Sequence, residues 1–106
     1  MGFFGKLFGA NGDEPLPEQA ILLDVRSPAE FAAGHLRDAV LLPVSELARS
    51  IDSVVPDKSR PIIVYCQSGA RSAAAQQQLC AMGYRQVVNG GGVHALAQRM
   101  QREILR

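Results

Sequence analysis

From residue 20 onward, short apolar runs alternate with helical patterns, which predicts an α/β domain with a small, mostly parallel sheet of four to five strands and helices on both faces. Two observations carry this. The runs Ile21-Leu22-Leu23 and Ile62-Ile63-Val64-Tyr65 are continuously apolar, as strands covered on both sides are. Each helical pattern also begins or ends on residues that cap or break helices.

The first strand is read from Ala20 to Val25. Ser27-Pro28-Ala29-Glu30 then opens a helix, with a capping hydroxyl, proline at the first turn and a reciprocal glutamate, and Gly34 closes it. Ala39 to Leu42 is a second strand stopped by Pro43, after which Ser45 is expected to cap a short helix reaching Ser50 or Ile51. The polar loop Pro56 to Pro61 leads into the strand Ile62 to Tyr65, with Cys66 at its carboxyl end. A helix is expected from about Arg71 to Met82, with Ala75, Leu79 and Met82 on its apolar stripe and Gly83 just past it. Gln86 to Val88 is the last strand. Gly90-Gly91-Gly92 is expected to turn the chain into a final helix with Val93, Leu96, Ala97, Met100 and Ile104 on one face.

The chain has 106 residues, 47% hydrophobic and 20% charged, with 11 basic and 10 acidic residues. That size suits one apolar core without staples. The even charge balance leaves no footprint of a nucleic-acid partner. Two cysteines and two histidines, widely spaced, argue against a disulfide framework or a metal centre. Residues 1–15 read as an apolar then polar segment and 16–106 as a single domain. The apolar start is too short for a membrane span or a signal peptide, so a cytoplasmic protein is expected. Phe3, Phe4, Leu7 and Phe8 would share one side of a helix; weak packing or disorder is the preferred reading, and a membrane or partner contact the alternative.

The chemistry is expected in Cys66-Gln67-Ser68-Gly69-Ala70-Arg71-Ser72. This stretch joins a buried strand to a helix start, where backbone N–H groups lack intrahelical partners and converge on the cysteine. Gly69 permits the tight turn, and the helix dipole with Arg71 adds positive potential. Cysteines so placed have pKa values of roughly 3.5 to 7.5 and act as thiolates. Cys80 lies nine residues after Arg71, roughly 13 Å along a helix. That is too far for a bond to Cys66, so it reads as a core or helix-flank residue.

Cysteine phosphatases and arsenate reductases of related architecture place five residues between cysteine and arginine; here four intervene. The tighter loop resembles that of the rhodanese family, the sulfurtransferases. Asp24-Val25-Arg26, Glu30-Phe31, Gly34-His35-Leu36, Ala39 and Pro43 are similar to that family's amino-terminal signature, and Gly91-Gly92-Val93 with Ala95 to its carboxyl-terminal one. The sequence departs from the family at Leu96, where many relatives carry tryptophan, and at Arg37-Asp38, where they carry Pro-Gly.

The resemblance implies a sulfurtransferase that needs no cofactor. The Cys66 thiolate would take a sulfane sulfur from thiosulfate or a persulfide donor and pass it to a thiol or cyanide. The backbone of Gln67, Ser68, Gly69, Ala70, Arg71 and Ser72 would form the binding cradle. A protein donor or acceptor, with the domain acting as a relay or docking module, is the alternative reading. Arg71 could bind substrate or pair inward with Asp24 or Glu30. Asp24, Arg26, Glu30 and His35 are expected to support the site rather than react.

Overall fold

The computed structural model describes residues 15–106, so the segment bearing Phe3, Phe4, Leu7 and Phe8 lies outside the described residues. The order of elements is β1 (Ile21–Asp24), α1 (Pro28–Ala33), β2 (His35–Leu36), β3 (Val40–Leu41), a 3-10 turn (Val44–Glu46), α2 (Leu47–Val54), β4 (Ile62–Cys66), α3 (Ala70–Ala81), β5 (Val87–Gly92), α4 (Val93–Met100) and β6 (Ile104–Leu105). Strands β3, β1, β4 and β5 form a four-stranded parallel sheet in that order.

Alternate side chains of the central strands enter two separate cores. Leu23, Ile62, Val64 and Cys66 pack with Leu47 and Ile51 of α2 and with Ala75 and Leu79 of α3. Leu22, Ile63 and Tyr65 pack on the opposite face with Val93 and Leu96 of α4. Every residue of β4 is buried, because helices cover both faces; this explains the unbroken apolar runs. The parallel register places Asp24 beside Tyr65 and Cys66 beside Gly92, so the carboxyl ends of β1, β4 and β5 lie together. Sites in open α/β sheets form at such ends.

Helix α1 starts as read. Ser27 Oγ accepts from the Glu30 N–H, the Glu30 carboxylate accepts from the Ser27 N–H, Pro28 opens the first turn, and Gly34 caps the end. Three expectations need correcting. Ser45 makes no capping bond; Pro43 begins a 3-10 turn, and α2 runs on to Val54. Gly90-Gly91-Gly92 does not break the chain but completes β5. Val64 pairs with Asn89 while Cys66 pairs with Gly92, so β5 carries one extra residue here, and Gly91 absorbs it at a φ of +85°. The final helix stops at Met100, because Gln101 turns left-handed at φ +52°. Ile104 therefore sits in β6, which pairs antiparallel with β2 in a separate two-stranded sheet.

That small sheet explains the Arg37-Asp38 departure. Ala39 N–H bonds to Leu36 C=O across a turn whose third residue, Asp38, has a φ of +70°. This matches a type II turn, which favours proline and then glycine at its centre. Proline at 37 would remove an N–H that donates to Glu103 C=O at 3.0 Å beside β6. Arg37 also pairs with Glu103 through its side chain, while Asp38 tolerates the left-handed conformation better than most residues.

Candidate active site

The loop after β4 closes around its own cysteine. Gly69 adopts a φ of +106°, a conformation that disfavours a side chain, and this turns its N–H back to donate to Cys66 Sγ at 2.9 Å. Ser72 Oγ lies 3.5 Å from the same sulfur. Burial pushes the Cys66 thiol up, but hydrogen bonds from the Ser72 side chain and from the backbone of Ser72, Gly69 and Ser68 outweigh it, and the net shift is downward. The sulfur sits at the amino end of α3, whose dipole acts in the same direction. Cys66 is 1% exposed, whereas Gln67, Ser68 and Ala70 of the loop are exposed.

The Arg71 side chain is paired with a carboxylate. Its Nη1 and Nη2 donate to Glu30 Oε1 and Oε2 at 2.7 and 2.8 Å, a bidentate pair joining the start of α3 to α1. Of the two carboxylates considered for it, Glu30 is the partner. Glu30 is thereby held at about 2, chiefly by Arg71 and then by the Ser27 backbone N–H. A carboxylate depressed on folding adds stability above its ordinary value of 4.5 and loses that contribution as pH falls toward 2. Across that window, the fall of melting temperature with acid is expected to be shallower in Glu30→Gln than in wild type. Parallel curves would remove the pair from the account of loop stability.

Asp24 and Arg26 form the floor. Asp24 is fully buried and accepts from the Arg26 N–H at 3.0 Å, from Nε at 2.9 Å and from Nη2 at 2.7 Å. Arg26 is 3% exposed and also donates to Gly34 C=O at 2.6 Å and to Gln67 Oε1 at 3.1 Å, fastening the reactive loop to β1 and α1. Its guanidinium lies 5.7 Å from the centre of the Tyr65 ring, and the Tyr65 hydroxyl accepts from Leu36 N–H. His35 stacks on Phe31 at 3.7 Å between ring centres, with Nδ1 at 2.9 Å from Phe31 C=O, away from the sulfur's partners.

Gly92 brings β5 against the loop. A Cβ there would stand 2.6 Å from Gln67 C=O, closer than real contacts allow. Gly92→Ala is expected to cost about 1 to 3 kcal/mol and to slow Cys66 alkylation at neutral pH, because the Gln67 peptide must move. Unfolding curves and alkylation rates check both; an unchanged alkylation rate would mean that the cradle does not depend on this contact.

Beside the loop lies a cleft of about 170 Å³. Arg26, Glu30, Gly34 and Gln67 line one part, and Val93, His94, Ile104 and Arg106 another. Sequence reading missed the role of α4 and the β6 end in this wall. It also missed Asn89, a fully buried polar residue beside the Cys66 loop. Its signal was visible, since asparagine ending the apolar run Val87-Val88 needs buried partners. Cys80, placed in the core or at the helix flank, is an exposed free thiol.

A parallel α/β domain with a cysteine at the carboxyl end of a central strand, its sulfur accepting a backbone N–H at a helix start, defines the class. Comparison with known proteins narrows it. The rhodanese-like domain family matches residues 11–98. Thiosulfate sulfurtransferase PspE of Escherichia coli is 37% identical over 75 residues, covering 71% of this chain and 72% of that protein. A sulfurtransferase of Allochromatium vinosum is 39% identical over 82 residues, covering 76% of this chain and 75% of its own length. Among solved structures, an E. coli rhodanese with anions superposes with a TM-score of 0.70 at 36% identity, covering 72% of this chain and 89% of that one. The chain belongs to the rhodanese-like domain family. More distant relatives include the tRNA uridine(34) hydroxylase of Erwinia tasmaniensis, 28% identical, of which the matched region is 27% while it covers 86% of this chain. Among the described residues, no helix is long and apolar enough to cross a membrane.

Proposed function

We propose that this protein is a sulfurtransferase in which Cys66 carries the sulfur. The observation that carries the reading is the Gly69 N–H held 2.9 Å from a cysteine sulfur whose pKa is lowered despite burial. The thiolate attacks the outer sulfur of thiosulfate, a new S–S bond forms, and the old one breaks with its electron pair leaving on sulfite. Cys66 is then a persulfide anion. Cyanide or a thiolate attacks the outer sulfur, takes it as thiocyanate or a new persulfide, and returns Cys66 to thiolate. Fixed N–H donors around both anions are the type of preorganised electrostatics that lowers such barriers most.

The near enclosure of Cys66 favours delivery of a single exposed sulfur atom rather than a bulky group. Phosphate or arsenate chemistry fits less well, because both terminal nitrogens of Arg71 donate to Glu30 rather than standing free for a tetrahedral oxyanion. The open cleft beside Gln67 also suits a persulfide borne on another protein, which keeps a relay role within the same chemistry. Steady-state assays with thiosulfate and cyanide, and with a protein persulfide donor, test the proposal. Turnover with at least one sulfane donor is expected; hydrolysis of a phosphate ester without any sulfur transfer would replace this reading.

A further inference from the structure

Ser72 and Asn89 make a buried polar pair, of which the account above uses the Ser72 contact with Cys66 and leaves Asn89 unused; both are 0% exposed. The orientation of the Asn89 amide follows from its neighbours. The Gly91 N–H can only donate, so the atom 2.9 Å from it is Oδ1; the Gly69 C=O can only accept, so the atom 3.2 Å from it is Nδ2. Ser72 Oγ lies 2.7 Å from Asn89 Oδ1, 3.1 Å from Gly69 C=O and 3.5 Å from Cys66 Sγ. A hydroxyl has one proton and can serve one acceptor well at a time. Asn89 Oδ1 keeps the Gly91 N–H, and Gly69 C=O keeps Asn89 Nδ2 and the Ala73 N–H, so neither is left unsatisfied when the hydroxyl turns away.

We propose that the Ser72 hydroxyl follows the charge on Cys66, with Asn89 Oδ1 as its resting acceptor, which makes Asn89 a positioning residue for the reactive sulfur. While Cys66 is a thiol, its S–H donates to Ser72 Oγ and the hydroxyl donates to Asn89. When the thiol gives its proton to solvent, the hydroxyl rotates and donates to Sγ. Its place in a catalytic cycle rests on the sulfurtransferase reading: once Sγ is bonded to a second sulfur, the charge sits on the outer atom and the hydroxyl swings back to Asn89. The O–H bond stays intact throughout.

The charged groups around the loop are the Arg71–Glu30 pair from α3 and α1 and the Asp24–Arg26 pair after β1. α4 contributes His94 on the cleft, and β5 contributes no charge. None of these is altered by the variants that test the proposal.

The test is the pH dependence of Cys66 alkylation by iodoacetamide, measured in a Cys80→Ser background because Cys80 is exposed. Ser72→Ala is expected to raise the midpoint by about one pH unit, the size of one hydrogen bond to a charged group. Asn89→Ala is expected to lower it, since the hydroxyl loses its nearest competing acceptor. The double variant is expected to share the midpoint of Ser72→Ala alone. An unchanged midpoint in Ser72→Ala, a raised one in Asn89→Ala, or an Asn89 effect that persists without Ser72 overturns the proposal. Should Asn89→Ala not fold, the wild-type protein carries the same test by NMR. The Asn89 side-chain carbonyl carbon is expected to titrate with Cys66, and that movement is expected to vanish in Ser72→Ala; equal titration in both overturns the coupling. No sulfur donor is present in these measurements, so their failure is separate from a failure of sulfur transfer.

Discussion

Replacing Cys66 with alanine is expected to reduce sulfur transfer to background, a loss of about a thousand-fold or more, because no other group in the cradle can accept the sulfur covalently. Cys66→Ser is expected to be equally inactive. A Gly69 N–H at 2.9 Å and the amino end of α3 stabilise a thiolate, but a serine hydroxyl starts far too high in pKa to ionise there at neutral pH. Both variants are expected to fold, since the side chain is small and the loop retains the Arg71–Glu30 and Arg26–Gln67 fastenings. Steady-state rates normalised to folded protein check this; either variant retaining more than about a tenth of wild-type turnover would remove Cys66 as the carrier.

Asp24→Ala is expected to be the most destabilising of the site substitutions, costing about 3 to 5 kcal/mol. The reason is the charge it leaves behind. Arg26 is 3% exposed, and without Asp24 its guanidinium keeps the Gly34 and Gln67 oxygens and the Tyr65 ring but loses its buried counter-charge. A domain of this size has a total stability of about 5 to 15 kcal/mol, so the loss takes a large share of it. Urea unfolding measures it. A loss under about 1 kcal/mol would mean that water or a rearranged carboxylate compensates Arg26, and the pair would then not anchor the loop.

The sheet and the turn from β4 into α3 were legible in the sequence because their signals are local. Continuous apolar runs marked β1 and β4, the Ser27 to Glu30 box marked the start of α1, and the strand–glycine–helix pattern after Tyr65 marked the turn into α3. What could not be read depends on long-range pairing. The glycine triplet looks like a breaker until Cys66 is set beside Gly92 and the bulge, and until the Gln67 carbonyl is seen to leave no room for a Cβ. Ile104 continues the periodicity of α4, yet Gln101 turns the chain and Ile104 finds Leu36 across the β2–β6 pairing. The inward partner of Arg71 was narrowed to two carboxylates; the choice of Glu30 follows from where α1 packs, which no spacing rule encodes. Asn89 shows the reverse case, in which a polar residue directly after the apolar Val87-Val88 run signals a buried partner without saying which.

The central claim is that Cys66 holds a transferable sulfur, and intact-mass measurement after exposure to thiosulfate tests it most directly. The wild-type chain is expected to gain one sulfur atom, to lose it on addition of cyanide, and to show no gain in Cys66→Ala. A wild-type mass unchanged by thiosulfate and by an organic persulfide, or an equal gain in Cys66→Ala with the sulfur on Cys80, would contradict it.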